Sequence, residues 1–188
     1  MGILKIGLDV DGVIIDLVSV MLPYLSIECG YNVNHEDIHC YNIDEALGLQ
    51  NKMVGIIEEV YKSKNLKQAP PIEGAIEGIN RLSKGSVYLI TVRPEKTRTD
   101  TEWWLDKHNI DYDELVFTSE GDKSSIVRRF NVDIFVEDCL DHAISLSSND
   151  VNTLLLDKPW NRDELVSNKI TRVYNWNDIT NSIQALYK

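Results

Sequence analysis

Two aspartates one residue apart, Asp9 and Asp11, stand at the end of the apolar run that begins "ILKIGL", and Gly12 follows them. Other polar residues hold the same kind of place. Thr91 ends "SVYLIT", Lys123 comes shortly after "LVFTS", and Glu137-Asp138 close "VDIFVED". In open α/β sheets, sites form at the carboxyl ends of the strands, so these acids, hydroxyl and ammonium converge on one edge. Taken alone, Asp9 and Asp11 could merely cap a helix. With Thr91, Lys123 and Asp138 in the same order, the set points to phosphoryl transfer. Three acids supply hard oxygen ligands for Mg²⁺. A hydroxyl and an ammonium hold phosphate oxygens and offset charge in the transition state. A carboxylate can attack phosphorus, giving an aspartyl-phosphate that water then splits. Gly12 lets the chain turn sharply past the acids.

The elements that must position these residues are readable from pattern. Six short apolar, β-branched runs span 3–10, 86–92, 115–119, 132–138, 152–158 and 171–176; the early ones are continuous rather than alternating, as in strands covered on both faces. Helical stretches lie between them: 75–84, 94–109 opening on Pro94, 122–130, 139–148, and a last one from Trp176. Strand and helix in alternation argue a parallel α/β sheet with right-handed crossovers. One interval breaks the rhythm. From 13 to 30 the chain reads as a helix ending at Gly30 with Pro23 kinking it, 51–64 reads as a second, and "QAPPIEG" is a stiff turn back. We read 17–70 as a helical insertion, with 1–16 and 71–188 as the α/β core, and expect hinge motion at 13–17 and 67–73.

Composition bounds the partners. The chain has 188 residues, enough for a sizeable core, and 19 Lys+Arg against 30 Asp+Glu, formally −11. That balance repels polyanions and shows no basic track, which argues against nucleic acid as a partner, a 3′-end phosphatase included. A small phosphorylated metabolite remains compatible, since a bound cation makes a pocket locally positive. The three cysteines follow no CxxC spacing, as in a reduced compartment. No signal peptide or membrane-length apolar run is present, so a cytoplasmic protein is expected. A homodimer is left open.

Several residues carry two readings. Arg93 has a planar fork suited to a phosphate or a base edge, and could equally be a surface arginine. His35, His39 and Cys40 lack a second pair for a metal cluster. Cys139 sits in an acidic setting that disfavours a thiolate. Tyr24, Tyr41 and Tyr61 could stack on a base or pack between helices, and Trp160 reads as a packing anchor.

"DVDGV" followed by Thr91, Lys123 and Glu137-Asp138 resembles the four ordered motifs of the haloacid dehalogenase (HAD) superfamily. The resemblance implies a Rossmann-like parallel sheet flanked by helices, with 17–70 as a small helical cap inserted after the first strand. By position, Asp9 would be the nucleophile and Asp11 the general acid/base. Thr91 and Lys123, with Val92 and Arg93, would bind the transferring phosphate. Asp9, the backbone carbonyl of Asp11, Asp138 and neighbouring Glu137 would surround the Mg²⁺. An acid at Asp11 favours a phosphatase that protonates a leaving alkoxide. More narrowly, "IGLDVDGVIID", "EWWLDKHNIDYDEL", "VDIFVEDCLDHA", "DKPWNR" and "RVYNW" resemble the 5′(3′)-deoxyribonucleotidase family and its bacterial relatives, which implies a nucleoside monophosphate as substrate. Two departures touch substrate recognition: Leu17 replaces an aromatic residue usual after the first motif, and Thr91-Val92-Arg93-Pro94 replaces the common Thr-Ser-Pro. Alternatives are a phosphatase for another small metabolite, such as a sugar phosphate, and a catalytically silent HAD-like binding module.

Overall fold

The structure, a computed structural model, describes residues 2–118 and 123–187. All six expected runs are strands: β1 (Lys5–Leu8), β2 (Ser86–Thr91), β3 (Glu114–Phe117), β4 (Ile134–Glu137), β5 (Asn152–Leu156) and β6 (Ile170–Val173). They form one parallel sheet in the order β3-β2-β1-β4-β5-β6. Ser119 and Asp122, expected at a strand end and a helix start, lie outside the described residues. The strand order reverses at β1. Crossovers first run outward through β2 and β3 and then return to the other side at β4, so a crevice opens between the ends of β1 and β4.

The strands are covered on both faces. β1 buries Ile6 and Leu8 against one set of helices, while Ile90 and Phe135 on neighbouring strands pack with Val127 and Leu146 on the other side. α5 (Ala75–Asn80), α6 (Arg98–Lys107) and α9 (Trp176–Gln184) contribute to the larger cluster; α7 (Lys123–Phe130) and α8 (Leu140–Ser148) contribute to the second. No described helix is long and apolar enough to cross a membrane.

Between β1 and β2 the chain forms α1 (Leu17–Cys29), α2 (Ile43–Leu47), α3 (Met53–Val60) and α4 (Ser63–Gln68). These helices bury an apolar cluster of their own, including Leu17, Leu25, Ile38, Ile56, Val60 and Leu66. Their entry and exit segments are fastened together. Asp16 N–H donates to Pro70 O at 2.9 Å, Ile72 N–H to Ile14 O at 2.8 Å, and Ile15 pairs with Pro71. Two buried indoles pin this junction to the core: Trp104 Nε1 donates to Ala69 O and Trp176 Nε1 to Val13 O, each at 2.8 Å.

Several helix boundaries differ from the sequence reading, and the helix read over 75–84 ends at Asn80. The helix read over 13–30 begins only at Leu17, because 13–16 is spent on this junction and Asp16 caps the helix by accepting from Ser19 N–H at 3.0 Å. The single helix read over 51–64 breaks after Val60, and α4 starts at Ser63. Pro94 precedes a 3₁₀ turn, Glu95–Thr97, rather than opening the helix, which starts at Arg98.

The register of β1 against β4 sets Gly7 opposite Phe135, where a Cβ would meet the ring at 2.3 Å. Gly7→Ala should therefore lower stability by about 1–3 kcal/mol through overpacking. Urea unfolding with an unchanged midpoint would refute this account of the β1–β4 contact.

Candidate active site

β1 and β4 are neighbours, so the residues just past their ends meet. Asp9 continues from β1 and still donates its N–H to Val136 O at 3.0 Å. Glu137 is the last residue of β4, and Asp138 follows it. Oxygens of Asp9, Glu137 and Asp138, all buried, lie within 4.8 Å of one another. Gly12 makes room for this. Its φ is +75°, and a Cβ there would lie 2.0 Å from Asp138 Oδ2.

α7 delivers Lys123 at its first described residue. The buried ammonium donates to Glu137 Oε2 at 2.7 Å and lies 2.9 Å from Asp9 Oδ1. The second contact is an ion pair, and Asp9 Oδ1 has no hydrogen-bond partner among the described residues. Glu137 Oε1 accepts the N–H groups of Asp138 and Cys139 at 3.1 and 3.2 Å, which satisfies its other side. His142, in the first turn of α8, adds a partner with Nδ1 3.6 Å from Glu137 Oε2.

Lys123 thus pairs with Asp9 and Glu137, Lys158 also acts on Asp138, and the three buried carboxylates respond unequally. Burial, opposed only in part by Lys123, pushes Asp9 up to about 7. Burial, with Glu137 and Asp9 close by, holds Asp138 well above the ordinary carboxylate range. Burial would raise Glu137 too, but Lys123 and then His142 hold it down to about 2. Contacts to Cys139 and Glu137 push His142 up to about 10. Burial would lower Lys123, yet Asp9 and Glu137 keep it above the ordinary lysine value. A divalent cation fits this donor set: three clustered hard oxygen ligands, an unsatisfied buried oxygen on Asp9, and more negative charge than Lys123 offsets.

Asp11 points elsewhere. The guanidinium of Arg93 grips it at both oxygens, Nε to Oδ2 at 2.8 Å and Nη2 to Oδ1 at 2.5 Å, and Nη1 donates to Thr101 Oγ1 at 2.9 Å. Arg93 is 2% exposed. Its surface reading is therefore wrong, and its fork is spent on Asp11 and Thr101 rather than turned toward a phosphate position.

A cavity of about 780 Å³ lies between the sheet end and the 17–68 helices. Asp9, Asp11, Gly12, Thr91, Val92 and Asp138 line it from the core. Leu17, Met21, Tyr41, Met53, Ile57 and Tyr61 line it from the helices. Lys123 and Glu137 stand behind that wall, buried. Tyr41, about half exposed, meets His142 at a ring-centroid distance of 6.1 Å. Sequence reasoning passed over His142, although "EDCLDHA" puts it within helical reach of the acidic pair. It also treated Trp160 as packing alone, whereas its Nε1 donates to Asp138 Oδ2 at 3.2 Å. His35, apart from the cavity, joins Asp16 and Ser19 at 3.4 Å each.

Residues 3–187 match the family 5′ nucleotidase, deoxy (pyrimidine), cytosolic type C protein (NT5C). The chain belongs to this family. NT5C membership makes it a hydrolase of phosphomonoesters, and its sheet is that of the HAD fold. It is 28% identical over 189 residues to a nucleotidase of Clostridium acetobutylicum, covering 98% of this chain and 96% of the other. It is 26% identical over 180 residues to a 5′(3′)-deoxyribonucleotidase of Bacillus subtilis, covering 93% and 95%. A HAD family hydrolase of Deinococcus radiodurans, crystallised with phosphate and sodium, superposes with a TM-score of 0.67 at 12% identity over 96% of this chain and 95% of that one.

The raised acids give a pH signature without metal. Asp9 titrates near 7 when folded against 3.8 in its ordinary state, so the folded protein holds the extra proton between these values and loses stability as pH rises through them. Asp138 acts in the same direction. The stabilisation from His142 is complete below about 6.5 and is lost as pH rises toward about 10. That from Glu137 is lost only as pH falls from about 4.5 toward 2. Metal-free protein should therefore become less stable from about pH 5 to pH 8, and Asp9→Asn should flatten the acid half of that decline. Thermal unfolding in EDTA that showed stability rising over this range would contradict the electrostatics.

Proposed function

We propose that this chain is a Mg²⁺-dependent nucleotidase that hydrolyses (deoxy)nucleoside monophosphates through an aspartyl-phosphate on Asp9. The observation that carries the reading is the carboxylate of Asp9 at the floor of the cavity, clustered with Asp138 and Glu137 and flanked by Asp11 and Thr91. An Asp9 oxygen attacks phosphorus as the bond to the leaving oxygen breaks, and Asp11 gives that oxygen its proton. Asp11 then takes a proton from the water that attacks the phosphorus of the aspartyl-phosphate, freeing phosphate and Asp9. The Thr91 hydroxyl holds a phosphate oxygen, and the Lys123 ammonium offsets charge from behind Asp9. Arg93 orients Asp11, and one of its two contacts must open for Asp11 to reach the leaving oxygen.

Asp9, Asp138, Glu137 and the backbone carbonyl of Asp11 would hold the Mg²⁺. When bound, it neutralises the carboxylate cluster and polarises the phosphate. Its charge beside Asp9 would oppose the effect of burial and favour an ionised nucleophile.

Residues 17–70 act as a cap over the core formed by 1–16 and 71–188, and they exclude water from the first step. The cap wall is mainly apolar with two tyrosines, and the cavity volume is that of a small-ligand pocket. Asn42 and Asp44 also line it, and the broad apolar part of such a wall suits a flat base.

Phosphate release should require Mg²⁺, stop with EDTA, and favour deoxynucleoside monophosphates over sugar phosphates in a substrate panel. Asp9→Asn should lower kcat by at least about 10³-fold while its circular dichroism stays that of the wild type. Activity retained by Asp9→Asn would remove the nucleophile assignment. Turnover of an aryl phosphate but of no nucleotide would keep the chemistry and discard the substrate.

A further inference from the structure

We propose that Trp160 is a positioning residue for the metal, its indole N–H fixing the Asp138 carboxylate and its ring tying that carboxylate to the packing of the cap helices. This rests on the metal reading above and concerns a residue outside its ligand set. Asp138 Oδ2 is held from two sides. The Cα of Gly12 lies so close that a Cβ would sit 2.0 Å away, and Trp160 Nε1 donates from 3.2 Å. The carboxylate therefore has one rotational setting, which a ligand to a small cation with strict geometry needs.

The backbone of Asp138 is held by the next residue along. Asn161, fully buried, donates through Nδ2 to Asp138 O at 2.7 Å and to Leu156 O at 2.8 Å. Its Oδ1 accepts from Lys158 N–H at 3.2 Å and from Arg172 Nη1 at 2.6 Å, and Arg172 also pairs with Asp157 at 3.1 Å. The 3₁₀ turn Pro159–Asn161 is thereby anchored to β5 and β6, so the indole comes to Asp138 on a rigid mount.

The ring faces the other way in the fold. Trp160 follows β5, yet it is buried in the apolar cluster of Leu17, Met21 and Leu25 from α1 with Ile56 and Val60 from α3. One side chain thus belongs to the metal's surroundings and to the core of the cap. A cation that draws on Asp138 favours the setting in which the indole N–H is engaged, and that setting seats the ring among the cap helices. By linkage, cap packing and metal affinity then favour each other.

The test uses the full chain without substrate. Calorimetric titration with Mg²⁺ should show Trp160→Phe, which keeps a ring but loses the N–H, binding about tenfold or more weakly than the wild type. Mg²⁺ should slow amide exchange in 17–68 in the wild type and do so much less in Trp160→Phe. Should that variant fail to fold, the wild-type indole N–H spectrum decides. Of four tryptophans, the indole hydrogen-bonded to Asp138 should shift most on adding Mg²⁺, while Trp104, bonded to Ala69 O, stays in place. Equal Mg²⁺ affinity and equal exchange protection in wild type and Trp160→Phe, or no indole shift, would make Trp160 a packing residue and overturn the proposal. A wild type that takes up no Mg²⁺ would instead sink the metal reading, a result distinct from either.

Discussion

The contact on which the rest of the site depends is that of Lys123 with Asp9 and Glu137. Bringing three carboxylates together away from water costs far more than one ion pair returns, and an isolated buried charge is among the least tolerated features of a fold. Lys123 makes the arrangement feasible by standing behind the wall, between the ends of β1 and β4, rather than in the cavity. It neutralises Glu137 fully, with a hydrogen bond and a depressed titration, and Asp9 only by proximity. The imbalance separates their roles. Glu137 is bonded by Lys123 and by two backbone N–H groups, whereas Asp9 Oδ1 has no hydrogen-bond partner among the described residues.

The strand order explains why those charges meet. Only at the reversal between β1 and β4 do two neighbouring strand ends leave a crevice free of a crossover helix. Two missing side chains permit the approach. Gly7 makes room for Phe135 within the sheet, and Gly12 makes room for Asp138 beyond it. Both glycines stand on the β1 side, and both face residues contributed by β4 or the residue after it.

Much of this was legible in the chain. Apolar, β-branched runs identify six parallel strands, and acids or a hydroxyl at the ends of β1, β2 and β4 mark the edge where they meet, because strand burial and strand-end polarity are both written locally. Arg93 was not legible. Whether a guanidinium after a strand turns outward to a ligand or inward to Asp11 and Thr101 depends on α6, whose Thr101 lies eight residues further on. The start of α1 was also hidden, since "VIID" is apolar enough for a helix, whereas it forms a turn closed on Val10 O and fastened to Ile72 and Pro71, more than fifty residues away.

Trp160 shows the same limit from the other direction. An indole in a loop after a strand is normally read by its large apolar body, and the body does pack as expected. Its single polar atom decides the rest, and the partner of that atom is set by tertiary structure alone. The two junction indoles obey the same chemistry: each buries its ring and spends its N–H on a carbonyl at the entry or exit of the cap. Those two bonds, to Ala69 and Val13, hold the ends of the inserted segment to the core. Trp160 reaches into the apolar cluster of the inserted helices from a turn anchored to the sheet.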